Sequence, residues 1–96
     1  MAEKLYIQSV TRHTKDARIY ARLGVIYMHQ KNFKDARDAL LMSLRFDSKV
    51  ASRHYNLALV YQALGNSQKA LVEVKQAISL DQGNQKYELL RQKIEL

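Results

Sequence analysis

Apolar residues recur along this chain at spacings of three and four, with polar residues between them. Tyr20, Leu23 and Tyr27 follow that spacing, with the small Gly24 beside them, and after Gln30, Lys31 and Asn32 it resumes through Phe33, Ala36, Leu40, Ser43 and Leu44. Such a stripe lies on one face of a helix, whereas a half-buried strand needs strict alternation, which neither segment shows. The pattern then returns in Leu57, Ala58, Tyr61, Ala70, Val74, Ala77 and Ile78. Helices are predicted over 17–30, 33–46, 51–64 and 67–80, flanked by further helices over 2–13 and 84–95. Tyr20, Leu23, Tyr27, Ala36, Leu40, Leu57, Tyr61, Ala70, Val74 and Ile78 are the predicted core.

The return has a fixed period. At an offset of 34, Ala17 meets Ala51, Leu23 meets Leu57, Tyr27 meets Tyr61, Asn32 meets Asn66, Ala36 meets Ala70 and Asp47 meets Asp81, with no gap from end to end. A constant period of this length signals stacked supersecondary units, here two helices each. Asp16 and Asn32 stand where N-caps are wanted, and Asp35, three residues after Asn32, occupies a capping-box-like place. Gly65-Asn66 makes the second turn, where glycine takes positive φ without steric cost. Gly24, Ala36, Ala58, Ala70 and Ala77 lie on the apolar faces, and their small size lets two helix backbones approach closely.

These residues resemble the tetratricopeptide repeat. Residues 17–50 carry Tyr20, Leu23, Gly24, Tyr27, Phe33, Ala36 and Leu40 at the family's signature places, and 51–84 carry Leu57, Ala58, Tyr61, Gly65, Ala70 and Ala77. The sequence departs from the pattern at His54 (usually Trp or Tyr), Ser67 (aromatic), Ser43 (alanine), Lys31 (a turn glycine), and Ser48 and Gln82 (proline). None of these is a helix breaker. The resemblance implies an all-α fold, a right-handed α-solenoid of antiparallel helix pairs forming a single domain over 1–96. Residues 1–14 then resemble the second helix of a preceding repeat, with Ala2, Tyr6, Ser9 and Val10 inward. Residues 85–96 form a C-terminal capping helix with Tyr87, Leu90 and Ile94 inward, of the kind repeat arrays need for solubility. A start on half a repeat is what a piece of a longer array would show.

Composition narrows the class of function. Cysteine is absent, which excludes disulfides, thiolate metal sites and a cysteine nucleophile. No apolar run approaches the roughly 20 residues of a membrane helix, and the N-terminus lacks the features of a signal peptide; the cytoplasm is the default expectation. His13, His29 and His54 lack companion ligands at metal-binding spacing, so neither a metal nor a cofactor is expected. Catalytic motifs are absent, and paired carboxylates such as Asp35 and Asp38 suit a helix surface better than acid–base chemistry. An enzyme is not expected. The net charge is +7, from 16 Lys and Arg against 9 Asp and Glu, and it is densest around Arg12, Lys15, Arg18 and Arg22. Such a balance favours acidic partners or nucleic acid, or serves only to keep the surface solvated.

In the family, the first helix of each repeat lines a concave groove. Carried onto this register, the lining is Arg18, Ala21, Arg22, Val25 and His29, then Ser52, Tyr55, Asn56, Leu59 and Gln62. Arg18 and Arg22 lie one turn apart, and two guanidinium groups can grip carboxylates bidentately. With Asn56 they resemble part of the clamp by which some family members hold the acidic tail of heat-shock chaperones. Ala21, Val25, Tyr55 and Leu59 do not supply the rest, and both arginines also suit plain solvated surface. The expected function is a non-catalytic protein-interaction module that holds an acidic or extended segment of a partner. The alternatives are a helical-repeat nucleic-acid binder and a scaffold that self-associates through its exposed ends or through Leu41 and Met42.

Overall fold

The computed structural model of the chain describes residues 16–96. They form five helices: α1 (Ala17–His29), α2 (Phe33–Phe46), α3 (Ala51–Ala63), α4 (Ser67–Leu80) and α5 (Gln85–Glu95). No strand occurs among the described residues. α1 packs on α2 and α3 on α4 as antiparallel pairs; α2 also packs on α3, and α4 on α5, so the pairs stack in chain order into an all-α solenoid. The helix expected over 2–13 lies outside the described residues.

The turn within each pair is built the same way. The Asn32 amide donates to the Tyr27 carbonyl at 2.9 Å and the Lys31 amide to Met28 at 3.0 Å; one period later Asn66 donates to Tyr61 at 2.8 Å and Gly65 to Gln62 at 3.0 Å. Such paired bonds end a helix on a residue in the left-handed region. Gly65 takes that role with φ 79°, and Lys31 takes it with φ 61°. At Lys31 the side chain strains a conformation that glycine adopts freely.

Side chains cap three of the helix starts. Asp16 accepts from the Arg18 amide at 2.9 Å, Asn66 from Lys69 at 3.1 Å and Asn84 from Lys86 at 3.0 Å. Asn32 departs from expectation. It occupies the N-cap position of α2, but its side chain makes no capping bond and instead donates to Gln30 Oε1 at 3.2 Å.

The predicted core is buried with one exception. Ile78 is only half-buried, because Ala77, one residue earlier, takes the fully inward place on α4. Of Leu41 and Met42, Leu41 is 42% exposed and Met42 packs against the core. The closest approach of α1 and α2 is at Gly24, where an added Cβ would lie 2.6 Å from Leu40 Cγ and 2.8 Å from its Cδ2. The equivalent pair in the second unit is Ala58 and Val74, both fully buried. The Ser43 hydroxyl, where the family pattern has alanine, donates to the Ala17 carbonyl at 2.7 Å and so ties α2 to the start of α1.

His54 also departs from the family aromatic, and its ring becomes a tie. Nδ1 lies 2.8 Å from Glu73 Oε1 on α4, and Nε2 lies 2.8 Å from the Ser48 carbonyl in the α2–α3 loop. A carbonyl and a carboxylate both only accept, so the ring satisfies both when each nitrogen carries a proton. The first unit fills the same places with Tyr20, stacked on Phe46 at 5.8 Å between ring centroids, and with Ala39.

Candidate functional site

The first helix of each pair and α5 share one side of the stack. Val25, Met28 and His29 from α1, Phe33 from the start of α2, and Tyr55, Asn56 and Leu59 from α3 surround a cleft of about 410 Å³, closed on the far side by Lys86 of α5. The 3.6-residue helical turn explains the grouping: Val25 with His29, and Tyr55 with Leu59, are one turn apart and point the same way. Val25, Leu59 and the Tyr55 ring give an apolar floor. Asn56 supplies a neutral donor and acceptor, and His29 and Lys86 are exposed at the edges. Among the described residues no acidic side chain lines this cleft.

Tyr55 organises the centre. Its ring lies 4.9 Å from that of Tyr87, and the Lys86 ammonium sits 5.0 Å above it, a cation–π contact that holds the charge at the cleft mouth. Burial raises the Tyr87 phenol above its ordinary pKa, with Asp81 and Tyr55 adding to the shift, so it stays neutral.

The structure thus brings together Val25, His29, Tyr55, Asn56 and Leu59 of the expected groove residues. Arg18 and Arg22 line a separate hollow of about 280 Å³ with Asp16 and Ile19. The Arg18 fork is already occupied: Nε donates to Asp16 Oδ1 at 3.2 Å and Nη2 to Oδ2 at 3.0 Å. The same hydrogen bonds hold the Asp16 carboxyl below its usual range and raise Arg18. Arg22 is exposed, and among the described residues it enters no ion pair. Ser52 is exposed outside the cleft, and half-buried Gln62 accepts from the Ser67 hydroxyl at 3.2 Å. Arg18, Arg22 and Asn56 do not meet in one clamp.

Met28, Phe33 and Lys86 line the cleft without belonging to the expected set, and of these only Lys86 brings charge. Its signal is present in the sequence, since Lys86 lies one 34-residue period after Ser52. No group of His, Cys, Asp or Glu among the described residues could hold a metal ion, and no described helix is long and apolar enough to cross a membrane.

A family model for the tetratricopeptide repeat matches residues 17–49 and 51–84, which together make up most of the chain. The chain belongs to the tetratricopeptide repeat family. Its fold matches that of solved repeat domains. The Arabidopsis OM64 TPR domain superposes with a TM-score of 0.86 at 14% identity, over 97% of this chain and 77% of that one. Two crystal structures of MamA superpose with TM-scores of 0.78 and 0.75, both at 25% identity over 90% of this chain, which spans 56% and 52% of their lengths. A search of curated proteins by sequence finds no significant match. Tetratricopeptide repeat domains bind protein partners and are generally non-catalytic scaffolds, and the groove is the surface on which such binding is to be sought.

Proposed function

We propose that this tetratricopeptide repeat domain is a non-catalytic module that holds an extended, acidic segment of a partner protein along the groove of α1, α3 and α5. The observation that carries the reading is the composition of the cleft: an apolar floor, one amide, an ammonium group poised over Tyr55 and, among the described residues, no carboxylate. A peptide laid on it covers Val25, Tyr55 and Leu59, hydrogen-bonds to Asn56, and brings negative charge to Lys86. The net charge of +7 draws such a segment in over longer range. Because Asp16 fills the Arg18 fork, the electrostatic weight in the cleft falls on Lys86, with Arg22 an exposed charge beyond its rim.

Titration with a labelled Asp/Glu-rich peptide, an uncharged peptide of equal length and oligouridylate tests this. The acidic peptide is expected to bind tightest and to weaken as salt rises. Tyr55→Ala and Asn56→Ala remove floor and orientation and are expected to weaken it more than Arg22→Ala, which removes an exposed rim charge and alters mainly the association rate. Salt dependence alone does not separate peptide from RNA. Tighter binding of oligouridylate, with indifference to Tyr55→Ala and Asn56→Ala, would refute the peptide groove in favour of nucleic acid.

A further inference from the structure

We infer that α5 is a binding wall as well as a cap, and that the acidic segment anchors on it through a bulky apolar side chain seated on Leu89 between Lys86 and Lys93. This rests on the groove reading above and names what its partner must carry.

The repeat period points to the site. Of the positions that the register assigns to the groove on α3, Ser52, Tyr55, Asn56 and Leu59 are followed one period of 34 further on by Lys86, Leu89, Leu90 and Lys93. The structure gathers those four α5 residues with Tyr55 and Leu59 around an open cleft of about 500 Å³. Lys86 and the Tyr55 ring belong to this cleft and to the first one, so the two form a continuous trough.

Leu89 is 64% exposed, while Tyr87 and Leu90 on the same helix are buried against the second core cluster. Packing of the cap therefore does not account for Leu89. A single exposed leucine is ordinary, but this one is set apart by its neighbours. Lys86 and Lys93 flank it at i−3 and i+4, the spacings that place side chains on one face. The helix's two acidic side chains are engaged elsewhere: Arg91 donates to Glu88 at 2.8 Å and to Glu95 at 2.6 Å. Among the described residues neither Lys86 nor Lys93 makes an ion pair. The result is an apolar floor of Leu89, Leu59 and Tyr55 with an unneutralised ammonium group on each side. Its complement is a leucine-like side chain with carboxylates a few residues to either side. A nucleic-acid backbone would use the lysines and leave Leu89 idle, so the surface fits a protein segment better.

The test uses the full chain and three labelled ten-residue peptides: one of Asp, Glu and Gly with a central Leu, the same with a central Ser, and a Gly/Ser peptide with a central Leu. Oligouridylate is the fourth probe. The parent is expected to prefer the acidic Leu peptide over its Ser version by about tenfold, as befits burial of one leucine. Leu89→Ser changes an exposed position, so circular dichroism should be unaltered. It should abolish the preference while leaving the Ser peptide bound as before. Lys86→Ser with Lys93→Ser should weaken both acidic peptides and flatten their salt dependence. Equal binding of the two acidic peptides by the parent, or a preference that survives Leu89→Ser, overturns the α5 anchor while leaving the acidic groove standing. If the neutral Leu peptide binds as tightly as the acidic one, or oligouridylate binds tighter than all three, both readings fall.

Discussion

Replacing Gly24 with alanine tests how the first helix pair is packed. The new Cβ would lie 2.6 Å from Leu40 Cγ and 2.8 Å from Cδ2, well inside the 3.5–4.0 Å at which carbon atoms pack comfortably. Leu40 is fully buried, so its side chain cannot swing out into solvent. Overpacking of this kind costs about 1–3 kcal/mol, and the better helix propensity of alanine returns about 1 kcal/mol. The net loss expected for Gly24→Ala is therefore about 1 kcal/mol, a fall in Tm of about 4–8 °C for a domain of this size. Leu40→Val alone removes one buried carbon and costs about 0.5–1.5 kcal/mol. Together the two changes write the second unit's Ala58 and Val74 into the first, with the same number of carbon atoms at the contact as before. The double variant should be more stable than the sum of its parts predicts, with a favourable coupling of about 1–2 kcal/mol. Urea and thermal unfolding followed by far-ultraviolet circular dichroism give all four corners of the cycle. Additivity within about 0.5 kcal/mol, or a Gly24→Ala variant at least as stable as the parent, would refute the close contact.

Two other outcomes follow from the same comparison of units, and a third from the burial of Tyr61. Lys31→Gly supplies the residue that the left-handed turn prefers and should stabilise by up to about 1 kcal/mol after the entropy of the unfolded glycine is counted, read as a higher Tm. His54→Tyr strands Glu73 and the Ser48 carbonyl and should cost about 1–3 kcal/mol; adding Glu73→Ala, which copies Tyr20 and Ala39, should recover much of it, again by chemical denaturation. Burial, and then Glu73, raise the Tyr61 phenol above its ordinary 10.0. A group whose folded pKa is raised stabilises fully below its unfolded value and loses that contribution as pH rises through the folded value. Stability should therefore decline above about pH 10, and less steeply in Tyr61→Phe, as denaturant midpoints across alkaline pH will show.

The elements most legible in the sequence are those on which several signals coincide. The period of 34 aligned apolar stripe, small residues and turn at once, so helix limits and inward residues could be read together. Details decided by one side chain choosing between neighbours were not legible in this way. Asn32 and Asn66 are equivalent in sequence, yet one turns to Gln30 and the other caps its helix. Arg18 points toward the groove by register, but the carboxylate that starts its own helix captures it. His54 is visible as a departure from an aromatic, but Glu73, 19 residues away, is not visible as its partner. In the groove, Val25, Tyr55, Asn56 and Leu59 follow from the register. Lys86 escapes when residues 85–96 are read only as a lid, although the period reaches it.

The contact between Tyr55 and Tyr87 has an optical consequence. The chain has no tryptophan, so no indole competes for tyrosine excitation or masks tyrosine emission. Of the tyrosines described, Tyr20, Tyr27, Tyr61 and Tyr87 are buried, and Tyr55 alone meets solvent appreciably, at the groove floor. A molecule settling there displaces water from one phenol and disturbs its pairing with Tyr87, while Tyr20, Tyr27 and Tyr61 stay as they were. Intrinsic tyrosine emission and the near-ultraviolet dichroism of that pair therefore report groove occupancy without a label, and Tyr55→Phe provides the silent control.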